Sequence, residues 1–333
     1  MKKILAIAIS LVMVLSLAAC GGSAAAPAAA PAAEAAPAAE AASTDEIYIP
    51  VIALGFQHQY WQAVKLGCEQ AAEEFGVTIT FEGPEQETMV DKQVDMIKAA
   101  LAKNPAGLCL AAIDTEACRA DVEAAKAKGL KCVGFDSGCG DLPLTTCATD
   151  SKGAGAIAAE NCARLLNGKG KVGIINFSQT APDGIAREQG FVEYMKANCP
   201  DIEIVDVQYT DGDHLKSADA AKSMLTAFPD LDAFYGCNEG CAVGIYNGMK
   251  EVSKIGDVII IGFDSSAALK EGIRNGEIAG AITQDPVGMG YKSVEAVVKA
   301  LKGESLPEFI DTGCYWYDKT NMDDPKIAPL LYD

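Results

Sequence analysis

Residues 258–266, VIIIGFDSS, constrain this chain more than any other stretch. A run of apolar, mostly β-branched residues that closes on a small residue, an aromatic and an acid reads as a buried parallel strand. It delivers its last residue, Asp264, to the carboxyl edge of a sheet. The same ending occurs in residues 131–138, KCVGFDSG, where it delivers Asp136. An internal echo of this kind suggests two similarly built halves. Ligands of open α/β sheets bind outside the carboxyl ends of the strands. Two such aspartates, one from each half, would therefore face one shared cleft. The alternative for each is a cap on the helix that follows.

The rest of the chain alternates in the same way. Strand patterns at 46–54, 77–81, 107–113 and 131–136 are separated by amphipathic stretches at 63–75, 88–101 and 115–128, with Gly76 and Gly129 as breaks. After a short run at 145–148, Asp150 marks a crossover into a second series. Its strands are expected at 171–176, 202–208, 233–236, 258–263 and 279–283, with helices at 153–166, 184–197, 215–227, 239–252 and 267–275. A further helix at 287–301 follows Gln284-Asp285-Pro286, and a closing strand lies near 310–317. The fold class expected is α/β: two similar doubly wound parallel-sheet lobes.

The start of the chain bears on the compartment. Lys2 and Lys3 precede an apolar run over residues 4–17 that is short for a membrane span. The tetrad Leu17-Ala18-Ala19-Cys20 resembles the lipobox of bacterial lipoproteins, which implies a signal peptide over 1–19 and lipidation of Cys20. Residues 20–45 are then the lipidated cysteine and a spacer of alanine, proline, glutamate and serine, with Pro27, Pro31 and Pro37 interrupting any continuous helix. A formal charge of −19 argues against nucleic acid as a partner, since that binding rests on Lys and Arg neutralising phosphates. Of the twelve cysteines, eleven remain once Cys20 is set aside, so at least one stays free. Cys139 and Cys147 bracket a short loop and are candidates for a pair.

Several motifs together are specific: Ala112-Ile113-Asp114, the two Phe-Asp strand ends, Gly184-Ile185-Ala186-Arg187-Glu188, Cys237-Asn238-Glu239 and Thr283-Gln284-Asp285-Pro286. In this order and spacing the chain from about residue 46 onward resembles a class I periplasmic binding protein of the ribose and galactose type. The resemblance implies lobes joined by a three-crossover hinge near Asp150, Gln284 and Gly313. The first lobe would be 46–149 with 285–312, the second 150–284 with 313–333. It implies ligand-binding roles for His58, Tyr60, Trp61, Asp136, Arg187, Asn238, Asp264 and Gln284. Carboxylates, amides, a guanidinium fork and aromatic faces suit the hydroxyls and ring faces of a small neutral sugar. The partners implied are an ABC permease and ATPase complex and a membrane reached through the lipid anchor. The protein is expected to be an extracytoplasmic monomer with no cofactor.

Two positions depart from the family pattern. Ser137 stands where ribose binders usually carry a second arginine, and Gly212 where an aromatic often supplies a stacking face. A pentose, a hexose, a polyol and a nucleoside all stay open. A sensory receptor for a kinase or chemoreceptor is the alternative function. An enzyme is not expected, since the only histidines, His58 and His214, sit in no triad or HExxH pattern, although two facing carboxylates would suit a glycosidase. Neither a metal-ligand spacing nor a phosphate loop is present in the sequence. Substituting Cys20→Ala should release the protein from the membrane fraction or stall its processing. Unchanged membrane association and mobility on a gel would refute the anchor.

Overall fold

The structure is a computed structural model that describes residues 47–332. The expected signal peptide, Cys20 and spacer lie outside the described residues. Among these, two six-stranded sheets form. The first contains β1 (Tyr48–Ile52), β2 (Thr78–Glu82), β3 (Gly107–Leu110), β4 (Lys131–Phe135), β5 (Thr146–Ala148) and β11 (Phe309–Asp311), in the order β11-β5-β4-β3-β1-β2. The second contains β6 (Gly170–Asn176), β7 (Ile202–Tyr209), β8 (Ala233–Gly236), β9 (Ile259–Phe263), β10 (Gly280–Gln284) and β12 (Cys314–Tyr317), in the order β12-β10-β9-β8-β6-β7. The two orders are the same arrangement written twice. Every pairing is parallel except β10 with β12.

The central strands β1, β3, β4, β8, β9 and β10 are buried on both faces because helices cover them, whereas the edge strands β2, β7 and β11 stay partly exposed. Helices α1 (Tyr60–Phe75), α2 (Val90–Leu101), α3 (Thr115–Lys126) and α9 (Pro286–Leu301) flank the first sheet. Helices α4 (Ser151–Leu165), α5 (Pro182–Asn198), α6 (His214–Ala227), α7 (Glu239–Glu251) and α8 (Ala267–Asn275) flank the second. Small residues let paired helices approach closely. A Cβ on Gly155 would lie 2.1 Å from the Arg187 carbonyl oxygen, and one on Gly190 would lie 2.0 Å from that of Lys152. Glycine at these two positions therefore seats α5 against α4 and fixes where Arg187 stands.

The chain passes between the sheets three times: from β5 into α4, from β10 into α9, and from β11 to β12. Two of the passages end at a capped helix. The Asp150 carboxylate accepts from the Gly153 N–H at 3.0 Å, and that of Asp285 from Gly288 at 2.8 Å, with Pro286 opening α9. The third turns at Gly313, whose φ of 81° a side chain would disfavour. The single closing strand expected near 310–317 is thus two strands in two sheets. Tyr332, placed by sequence in the second lobe, packs against the core of the first.

Helix α1 begins at Tyr60, three residues earlier than its amphipathic pattern suggested. Gln59 provides no side-chain cap. The cap comes from across the molecule: Glu239 carboxylate oxygens accept from the Gln59 and Tyr60 N–H groups at 3.4 and 3.3 Å. Local sequence carries no sign of a partner that far away.

Cys139 and Cys147 do not pair. Cys139 belongs to the apolar cluster under α2 and α3, Cys147 to the one under α1 and α9, so the first sheet stands between them. The described residues contain eleven cysteines, all free and nine of them buried, with Cys199 and Cys314 partly exposed. Burial pushes the Cys118 and Cys147 thiols up to about 11. A thiol titration of the reductant-free mature protein should find at most the two exposed groups reacting quickly. Denaturation should raise the count to eleven; a plateau at nine or fewer would reveal a disulfide that contradicts this fold.

Candidate ligand-binding site between the lobes

Segments at the carboxyl ends of strands in both sheets converge on one cavity. Leu54 and His58 follow β1, Glu87 follows β2 and Asp136 follows β4; Phe177, Asn238, Asp264 and Gln284 stand at the ends of β6, β8, β9 and β10. The first turn of α1 adds Tyr60 and Trp61, and the first two turns of α5 add Asp183 and Arg187. All eight residues singled out from the sequence are brought together here. Asp136 and Asp264 share more than sequence context. Their φ angles are 54° and 73°. Both sit in the left-handed region, which non-glycine residues seldom adopt and aspartate tolerates better than most. The echo in sequence is an echo in backbone conformation, and it turns both carboxylates toward the cavity.

Each side chain is held by specific partners. Tyr60 donates its hydroxyl to Asp136 Oδ1 at 2.8 Å, and the Trp61 indole N–H donates to Glu87 Oε1 at 2.8 Å. Trp61 also packs edge-on against Tyr60 and Phe135 and is only 2% exposed, so it belongs to the first-lobe core as well as to the cavity wall. Asp264 Oδ1 accepts from the Gln284 amide at 2.6 Å and Oδ2 from the Glu239 backbone at 3.0 Å. Asn238 caps α7 through its oxygen, which accepts from Cys241 N–H at 2.9 Å and leaves the NH2 group as a donor. Arg187 is 3% exposed and lies over the Phe263 ring at 3.9 Å. It donates to the Cys237 carbonyl at 3.0 Å and pairs with Asp183 Oδ2 at 3.3 Å. His58 stacks on His214 across the cleft with ring centroids 5.9 Å apart.

The electrostatics follow from burial. Desolvation brings His58 down to about 4, against the pull of Asp264, so at neutral pH the ring is uncharged. Asp136 is pushed up to about 7, first by burial and then by Asp183; Glu87 also reaches about 7, mainly by burial. Burial raises Asp264, against the opposing pull of Arg187 and the hydrogen bonds from Gln284 and the Glu239 backbone N–H. Burial disfavours the Arg187 charge, but Asp183, Asp264 and Asp136 outweigh it and keep the guanidinium protonated. Three buried polar atoms in the wall have no hydrogen-bond partner: His58 Nδ1, Asp183 Oδ1 and Arg187 Nε. Such groups are costly to leave unmatched inside a protein. Among the described residues, no group of three His, Cys, Asp or Glu side chains is arranged to hold a metal ion.

Sequence reasoning missed Asp183 and Glu87. Asp183 was within reach of it, since it sits four residues before Arg187 on one helix and so shares its face. Glu87 had no such signal: it lies in the turn after β2, where periodicity says nothing. Ser137 is buried and its hydroxyl donates to the Ala112 carbonyl, away from the cavity. At Gly212 the φ is 64°, and a Cβ would meet the Asn238 amide nitrogen at 2.9 Å, so no stacking aromatic fits there. The cavity measures about 20 Å3, room for little more than a water molecule. A monosaccharide enters only if the lobes part or wall side chains swing aside.

Known proteins share this architecture. A family model described as periplasmic binding protein domain matches residues 49–305. The D-allose-binding periplasmic protein of Escherichia coli K12 is 25% identical over 267 residues, covering 77% of this chain and 86% of that protein. An ABC transporter solute-binding protein from Agrobacterium vitis, solved with α-D-tagatopyranose, superposes with a TM-score of 0.82 at 29% identity. The match covers 86% of this chain and 100% of that one. A carbohydrate transporter solute-binding protein from Agrobacterium radiobacter, in complex with D-arabinose, gives the same score and identity over 87% of this chain and 100% of its own. With two lobes of one strand order, their strand ends meeting at one cavity, and a family match over most of its length, the chain belongs to the periplasmic binding protein domain family.

Proposed function

We propose that the protein is an extracytoplasmic receptor, not an enzyme, that captures a small sugar or related polyol between its lobes and delivers it to an ABC importer of permease and ATPase. One observation carries this reading: equivalent strand ends of the two lobes each present a left-handed aspartate to the same cavity, beside Arg187, Asn238 and Gln284. Carboxylates accept from hydroxyls, while the amides and the guanidinium donate to them, which is the complement a polyol requires. The sugars bound by the structural neighbours support the same class. Lipidation at Cys20 would tether a monomeric receptor to the outer face of the cytoplasmic membrane.

Capture of this kind is a population shift toward a closed form, because only closure brings both lobes onto one ligand. Small-angle scattering should show the radius of gyration falling when a saturating sugar is added. An unchanged radius with a sugar proven bound would refute the hinge.

The site itself is tested by substitution. A hydrogen bond to a charged group is worth about 1.5–3 kcal/mol. Asp136→Ala and Asp264→Ala should each therefore weaken the best sugar found in a thermal-shift panel by one to two powers of ten or so. Titration calorimetry reads the effect, with melting curves to check that each variant is folded. Parent affinity in both folded variants would mean that the ligand sits elsewhere.

A further inference from the structure

The cavity carries far more negative than positive charge. Four carboxyl groups line it, Glu87, Asp136, Asp183 and Asp264, against the single guanidinium of Arg187 and an uncharged His58. Ser137, directly after Asp136, is uncharged and turns its hydroxyl toward the Ala112 carbonyl. Arg187 does not cancel the excess: it pairs with Asp183 through Oδ2 alone and spends another donor on the Cys237 carbonyl. Asp264 already accepts one bond on each oxygen, from Gln284 and from the Glu239 backbone, and keeps a second lone pair on each for a hydroxyl.

The other three carboxyl groups each keep one oxygen with no hydrogen-bond partner. Asp183 Oδ1 is buried with no partner at all, in a residue 7% exposed. Glu87, its side chain 9% exposed, accepts only on Oε1, from Trp61, and Asp136 accepts only on Oδ1, from Tyr60. A buried carboxylate without a counter-charge is unstable. In keeping with this, burial raises both Glu87 and Asp136 to about 7, and each feels Asp183 as a repelling neighbour. A neutral sugar supplies hydroxyl donors but no charge. A ligand bearing one ammonium group supplies three N–H donors and the missing positive charge together.

We propose that this site takes a polyol carrying an ammonium group, an amino sugar or aminated cyclitol, with the cation held among Glu87, Asp183 and Asp136 and the hydroxyls facing Asp264, Asn238 and Gln284. This rests on the receptor function proposed above and replaces the neutral ligand expected from sequence. The acidic surface, at −19 formal charge, adds a favourable field for the approach of a cation.

Matched pairs decide it. D-Glucose, D-galactose, D-mannose and myo-inositol are each compared with their primary amine, and the hexosamines also with their N-acetyl forms, by titration calorimetry at pH 7. At least one amine should bind ten times or more tighter than its neutral parent, and N-acetylation, which removes the charge but not the hydroxyls, should abolish the gain. In Glu87→Gln or Asp183→Asn, each confirmed folded by its melting curve, the ratio of amine to parent affinity should fall at least tenfold. If a neutral sugar binds as well as its amine, or if the ratio survives in both variants, this inference fails while the receptor function stands. If no member of the panel, neutral or aminated, binds, the receptor function fails with it.

Discussion

One hydrogen-bonded path runs from the second lobe to the first and sets the geometry of everything around the cavity. Asp264 accepts from the Glu239 backbone, the Glu239 carboxyl accepts from the first N–H groups of α1, and Tyr60 in that turn donates to Asp136. The two strand-end aspartates are thereby linked through a helix N-terminus. The first N–H groups of any helix lack intrahelical partners, and their positive field favours an acid nearby. Here the acid comes from the opposite lobe. Burial and Asp264 still raise Glu239 to about 8, a shift that the bonds from the Gln59 and Tyr60 N–H groups only partly offset. Were the lobes to part as proposed, those N–H groups and the carboxyl would both return to water, and neither would be left stranded.

The strained ends of β4 and β9 belong to the same design. A non-glycine residue in a sparsely populated region costs on the order of 1 kcal/mol or more and persists only where its surroundings impose it. Tyr60 imposes it on Asp136; Gln284, the Glu239 N–H and Arg187 impose it on Asp264. Two such residues at equivalent places in two sheets of one strand order make the strain a property of the repeated unit rather than an accident of one loop.

This repetition is why so much was legible in the sequence. Buried parallel strands read as continuous apolar runs, so Asp136 and Asp264 were found from the strands that precede them. Arg187, Asn238, Gln284, Tyr60 and Trp61 came from the resemblance to periplasmic binding proteins, since nothing in their local pattern separates a cavity wall from a helix start. What stayed hidden depends on contacts between distant segments. The start of α1 rests on Glu239, some 180 positions away. Glu87 reaches the cavity from an aperiodic turn. The separation of Cys139 from Cys147 depends on which face of a sheet each occupies, which spacing along the chain does not reveal.

In the closing motion proposed above, the three passages would set which side of the cleft opens. β5 and β11 are the last two strands at one edge of the first sheet, and β10 and β12 the last two at the corresponding edge of the second. All three connections leave from these strands, so they lie together at one side of the cleft. Tyr332 reinforces that side, packing on the first-lobe core while its hydroxyl accepts from Ser265 of the second. The free side lies beyond β2 and β7, where Gln57, His58, Gln86, Asp211 and His214 line a wider groove of about 360 Å3. Contacts across it are few and polar: Gln57 donates to the Asp211 carbonyl at 3.4 Å, and two uncharged imidazoles stack. Water replaces such contacts at little net cost, because an exposed hydrogen bond exchanged for one to solvent changes the free energy by only about 1 kcal/mol. The apolar clusters lie inside the individual lobes, so opening exposes polar groups that water satisfies and leaves both cores intact.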